Sequence, residues 1–233
     1  MENDLGILTV TAATIAFIHT ILGPDHYMPF IALARARRWS VIKTIWITLI
    51  CGIGHVGSSI ILGAIGIGAG IGVSKLIGIE SLRGNIAAWT MLAFGLLYTI
   101  WGIRRAIINK PHKHFHTHED GIVHVHDHTH QNSHDHQHGK NITPWILFII
   151  FVLGPCEPLI PLLMYPAAQS RTWGIIQVSL VFSIITILTM MVLVLLTSYG
   201  LKLVNFGRLE RYTHALAGAT VCLSGCAILF LGL

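Results

Sequence analysis

Leu22-Gly23-Pro24-Asp25-His26 and Leu153-Gly154-Pro155-Cys156-Glu157 are one phrase written twice, L-G-P followed by two chemically active residues. Each copy lies inside a long apolar block, the first in Leu5–Leu33 and the second in Ile142–Ala168. Proline lacks a backbone donor and disfavours helix in the residue before it, so each Gly-Pro interrupts its block. More proline follows each copy, Pro29 in one case and Pro158 and Pro161 in the other. An Arg-then-Trp element comes next, Arg37-Arg38-Trp39 and then Arg171 with Trp173. Gly95 and Gly102 are spaced as Gly225 and Gly232 are. Anchors repeated in the same order mark an internal repeat.

The blocks between the anchors decide what solvent the chain is made for. Hydrophobic residues are 53% of the 233, and charged residues are only 11%, against about 25% in a soluble domain. A membrane span needs about 20 mostly apolar residues. Six blocks qualify: Leu5–Leu33, Val41–Ile67, Ile86–Ile108, Ile142–Ala168, Ile175–Tyr199 and Tyr212–Leu233. They are continuous rather than alternating, so they read as helices, which satisfy their own backbone in lipid. Glu2 and Asp4 stand where a cleavable signal peptide carries basic residues. Cys51, Cys156, Cys222 and Cys226 all fall inside blocks, so they describe no extracellular disulfide framework.

All Lys and Arg except Lys75, Arg83 and Arg171 fall in the first, third and fifth loops. Basic loops stay in the cytoplasm, which places both termini outside and the long third loop inside. The formal charge of +5 therefore serves topology and does not call for nucleic acid. Each half has three spans, an odd number, so the halves must sit upside down to one another, as in many secondary transporters. The expected fold is an all-α integral membrane protein with six transmembrane helices in two inverted three-helix repeats. Residues 1–110 form the first repeat, 111–141 a cytoplasmic loop and 142–233 the second repeat.

Inverted-repeat folds bind their cargo near the midplane, where interrupted helices meet. Ionisable groups at that depth are rare and usually functional. The first block carries His19, Asp25 and His26, the second His55, and the fourth Cys156 and Glu157. His19 and His26 are seven apart and share a face of any helix that continues past Pro24. Asp25 is placed either to ligate or to orient an imidazole. Imidazole with carboxylate suits Ni, Co, Zn and Cu, whereas Ca and Mg want oxygen shells. Glu157 could bind the ion or carry a coupling proton. Ser58, Ser59, Cys222, Cys226 and the glycines from Gly63 to Gly72 read as helix-packing residues, and His214 as structural. The spans offer no buried Lys or Arg on this reading, which weighs against an anion exporter.

Between Pro111 and Lys140 lie His112, His114, His116, His118, His124, His126, His128, His130, His134, His136 and His138. Such a tract is a compositional metal-binding signal. With few apolar residues to form a core, it is expected to be disordered without metal. Lying outside the spans, it suits a metal buffer or sensor.

His19-Thr20-Ile21-Leu22-Gly23-Pro24-Asp25-His26, followed by Gly54-His55, resembles the urease-accessory membrane proteins of the nickel/cobalt transporter group. That group is related to the LysE-like and sulfite-exporter-like superfamily. The resemblance covers most of the chain and implies movement of nickel or cobalt, with His19, Asp25, His26 and His55 in the site. Better-known nickel permeases have one residue fewer between the first His and the Asp-His pair.

The expected function is transport of a divalent transition-metal ion, Ni or Co before Zn, with no enzymatic step and no resident cofactor. Expected partners are the cargo ion, the bilayer, and a metallochaperone or oligomeric partner. Rival readings are a metal exporter, an accessory protein passing metal to a metalloenzyme, a thiol–disulfide carrier and an anion exporter. Cys156 has Asp25 as its repeat mate, so a two-cysteine relay is lacking. No G-x-x-x-x-G-K-[ST] loop is present for nucleotide-driven pumping.

Overall fold

The computed structural model describes residues 2–108, 112–117, 123–128, 142–169, 172–204 and 207–232. The helices are α1 (Glu2–Leu22), α2 (Met28–Ala36), α3 (Val41–Gly68), α4 (Val73–Ile108), α5 (Thr143–Leu153), α6 (Leu159–Ala168), α7 (Thr172–Leu203) and α8 (Thr213–Leu231). Outside the third loop the described residues form an all-helical body. Five stretches are long and apolar enough to cross a membrane: Asp4–Leu22, Val41–Gly68, Val73–Ile108, Thr172–Leu201 and Leu209–Leu231. That is the make-up of a multi-pass membrane protein. Large apolar residues such as Ile7, Val10, Trp46, Ile61, Trp89 and Leu196 are exposed on the outside of the bundle, as lipid-facing positions are.

Both L-G-P phrases break their helices. The α1 ladder ends where the Gly23 amide donates to His19 O at 2.9 Å, and Pro24 has no amide to continue it. Pro24–His26 form a 3-10 turn, and α2 restarts with Pro29 in its first turn, where a missing amide costs nothing. The block expected as one span over Ile142–Ala168 is two short apolar helices, α5 and α6. They are separated at Gly154–Pro158, because Pro155 cannot donate back into α5. On α3, Ser40 caps the N-terminus by accepting from the Lys43 amide at 3.2 Å.

One expected boundary is wrong. The block expected over Ile86–Ile108 begins thirteen residues earlier, at Val73. Lys75 and Arg83, expected in the second loop, lie on α4, and so does Glu80. Glu80 and Arg83 are one turn apart and pair at 2.8 Å, so these two charges within the span largely cancel.

α4 and α8 pack almost backbone to backbone. A Cβ on Gly95 would meet the backbone of Cys222, and one on Gly218 or Gly225 would meet Thr99 or Leu92. Close approach through small residues is how helices associate in lipid; it explains Gly95, Gly102 and Gly225, whereas Gly232, the fourth member of the expected repeat, is the left-handed C-cap of α8 with nothing near it. The buried apolar residues fall in two clusters, of which only the first includes residues of α4 and α8. One is centred on Phe30, Phe151 and Met190, the other on Ala12, Leu163 and Phe182.

The third loop is not wholly without structure. Strands β1 (His112–Thr117) and β2 (Val123–His128) pair antiparallel, with His112 opposite His128, His114 opposite His126 and His116 opposite His124. His118, His130, His134, His136 and His138 lie outside the described residues.

Candidate metal centre

Three imidazoles from separate stretches converge at the first helix break. His19 comes from the last turn of α1, His26 from the 3-10 turn and His55 from the middle of α3. The His19 and His26 ring centroids are 4.7 Å apart, and those of His26 and His55 are 5.0 Å apart. One ring nitrogen from each lies within 4.8 Å of the others. His26 and His55 are each 2% exposed.

Hydrogen bonding fixes the tautomers of His26 and His55. His26 Nδ1 lies 3.1 Å from Gly23 O and 3.1 Å from Asp25 Oδ1. His55 Nδ1 lies 3.3 Å from Phe151 O. Carbonyl and carboxylate oxygens only accept, so both Nδ1 atoms carry the proton and both Nε2 atoms keep a lone pair. Nε2 of His19, His26 and His55 are all buried and without a hydrogen-bond partner. Buried unpaired nitrogens cost about 1–3 kcal/mol each, so three in one place call for a guest. A ligating His that donates its other N–H to a carbonyl or carboxylate is the usual arrangement around a metal.

The two glycines of the repeated phrase perform the same service. A Cβ on Gly23 would run into the His26 ring and Asp25 Oδ1. A Cβ on Gly154 would press on His55 Nδ1 and on Phe151 O, each at 3.2 Å. Each break therefore clears space beside one imidazole. Between them is a cavity of about 20 Å³, lined in part by Asp25, His55, Gly154 and Pro155. That is room for about one water-sized guest. A far larger cavity of about 360 Å³ is lined by Arg35, Arg38, Trp39 and Glu210, with none of the three histidines.

Of the six span residues expected in a site, the structure gathers His19, His26 and His55. Asp25 stands behind His26 as its hydrogen-bond partner. Cys156 is fully buried at the second break but contributes no atom to the group of three nitrogens. Glu157 is exposed and contributes none either. The two residues after the second L-G-P are thus not the chemical counterparts of Asp25 and His26.

The expectation that no Arg is buried in a span is also wrong. Arg83 is 17% exposed and its partner Glu80 is 0% exposed. Arg83 donates to Glu80 Oε1 at 2.8 Å, Ser58 Oγ at 2.6 Å and Val152 O at 2.7 Å, with Gly154 O at 3.5 Å. Ser58 is therefore more than a packing residue, since it accepts from Arg83 and donates to His55 O at 2.8 Å. The available signal was opposite charges three apart in a stretch free of proline from Val73 to Ile108. His214 is structural as expected. Tyr98 OH stands 2.9 Å from its Nδ1 and also accepts from Arg37 at 3.1 Å. Cys51, Cys156, Cys222 and Cys226 are free thiols. Comparison with models of protein families, with curated proteins and with solved structures finds no match.

Proposed function

We propose that the protein carries a divalent transition-metal ion, Ni2+ or Co2+ ahead of Zn2+, across the membrane through a site built on His19, His26 and His55. One observation carries the reading: three imidazoles each bring a ring nitrogen within 4.8 Å of the others, each has a buried Nε2 without a partner, and two of the rings are pinned from behind by acceptors. Imidazole donors favour first-row transition metals. Asp25 supplies a charge beside the site and holds His26 in the required tautomer.

The interrupted helices favour a transporter over a static binding protein. In the proposed topology α1–α2 and α5–α6 are each one broken crossing, which brings the crossings to six. The packing comes in pairs that exchange under a two-fold swap of the halves. α1 lies on α7 as α5 lies on α3, and α2 on α8 as α6, more lightly, on α4, while the α3–α7 and α4–α8 pairs each map onto themselves. This supports two inverted three-helix repeats. Arg and Lys placement supports termini outside and a cytoplasmic third loop, whose histidines would buffer the ion.

The test is flux into vesicles holding a metal-sensitive dye. Ni2+, Co2+, Zn2+ and Mn2+ are supplied in turn, with and without a pH gradient. Ni2+ or Co2+ flux is expected in the wild type, lost in His26→Ala and kept when 112–138 are deleted. If no ion crosses in either direction while the protein still binds metal, the role is that of a membrane accessory handing metal to another protein.

A further inference from the structure

The second helix break is held by a cation of the protein's own. A broken helix in a membrane leaves carbonyls at its C-terminal end that attract cations. At the end of α5 the Arg83 guanidinium already stands there, on Val152 O and near Gly154 O. The same nitrogen donates to Ser58 Oγ on α3, while the other reaches Glu80 on its own helix. Arg83 thus ties α3, α4 and the end of α5 together. Phe151 O on that end is the acceptor for His55 Nδ1, so the tie sits directly behind one imidazole of the triad. Gly84, next along α4, faces the Pro155 ring so closely that a Cβ would meet Pro155 Cγ at 2.7 Å.

Glu80 Oε2 is buried, with no hydrogen-bond partner. A guanidinium and a carboxylate prefer a two-pronged pairing, yet here Arg83 engages only Oε1 and spends its other nitrogen on the neighbouring elements. A turn of the guanidinium onto Oε2 would satisfy that oxygen and complete the fork. It would also release Ser58, Val152 and Gly154. Both positions keep the buried charges paired, so neither incurs the cost of an isolated ion.

We propose that Glu80 and Arg83 form a two-position latch on the second helix break, bridging α3, α4 and α5 when shut and forked onto each other when open. Resting on the transport reading, the latch gates access to His55 from the side of α5. Arg83 is a positioning residue that does not touch the cargo, and Cys156, fully buried two residues past Gly154 at the same break, is a native reporter.

Two variants of the full chain separate the positions. Glu80→Gln keeps one acceptor oxygen for Arg83 but cannot accept the fork, so it holds the latch shut. Glu80→Gln with Arg83→Gln removes the latch and leaves no buried charge, which protects folding. Two readouts are taken: vesicle Ni2+ flux, and site-resolved maleimide labelling of Cys156 with Cys51 as the internal control. Glu80→Gln is expected to lower Vmax about tenfold with KM within about twofold of wild type. The double variant is expected to label Cys156 about tenfold faster, with Cys51 unchanged. Wild-type Vmax in Glu80→Gln overturns the latch. So does an unchanged Cys156 rate in the double variant, or a rise at Cys51 alongside Cys156, which would mean general loosening. If the wild type moves no ion but Cys156 labelling responds as described, the latch stands and the transport reading falls.

Discussion

Asp25→Asn isolates the charge behind the triad. The carboxylate holds His26 Nδ1 at 3.1 Å and contributes nothing to the three-nitrogen group. Three nitrogens around one ion at about 2.0–2.1 Å sit about 3.3 Å apart in a tetrahedral arrangement. The present spacing of up to 4.8 Å therefore has to close on binding, by up to about 1.5 Å on that geometry. An ion on Nε2 would then lie about 6–7 Å from the Asp25 carboxylate, across the imidazole ring, an attraction of about 5 kcal/mol at an effective dielectric near 20. That figure is a ceiling. The Asp25 side chain is 17% exposed, and asparagine still accepts the Nδ1 proton and keeps the tautomer. Loss of an outer-shell partner typically weakens metal binding about 10–100-fold, which is about 1.4–2.7 kcal/mol. We expect Asp25→Asn within that range. Ni2+ affinity is measured by competition with a chromophoric chelator, on protein lacking residues 112–138 so that loop histidines do not compete. His26→Ala in the same background is expected to lose more. Two results would refute the reasoning: an Asp25→Asn affinity equal to wild type, or a loss as deep as that of His26→Ala, which would make Asp25 a direct ligand.

Two further outcomes follow from the packing and the loop. Gly95→Leu places side-chain atoms where the Cys222 backbone lies, and backbone cannot yield; a loss of about 1–3 kcal/mol or more should appear as a lower melting temperature. Gly78→Ala, on the same helix with open space around it, is expected to be neutral or stabilising by up to about 1 kcal/mol. In the loop, rearranging residues 123–128 from Val-His-Val-His-Asp-His to His-Val-His-Val-His-Asp keeps composition and removes the three cross-strand His–His pairings. The tightest loop site is expected to weaken about tenfold from lost preorganisation, as read by Ni2+ titration of the triad-deficient protein; equal affinity would mean that composition alone does the binding.

The sequence by itself determined the helical, lipid-facing character of the chain, the two helix breaks and the first-half histidines. These are local properties. Apolar runs of span length need helices in lipid whatever they pack against, and Gly-Pro breaks a ladder because proline has no amide. His19, His26 and His55 were legible because polar side chains are conspicuous in apolar blocks. Their convergence was partly legible, through the seven-residue spacing of His19 and His26. What came from tertiary structure alone was the division of roles. Asp25 and Glu157 look alike as carboxylates beside a break, yet one backs an imidazole and the other is exposed. Arg83 read as a loop residue, because charge in a sequence signals water. Only the fold brings Ser58 and the carbonyls of Val152 and Gly154 to Arg83 and lets its pair with Glu80 remain inside. The orientations of His26 and His55 were likewise decided by which oxygen stood behind Nδ1. For His55 that oxygen belongs to Phe151, ninety-six residues away, a distance along the chain that no local pattern spans.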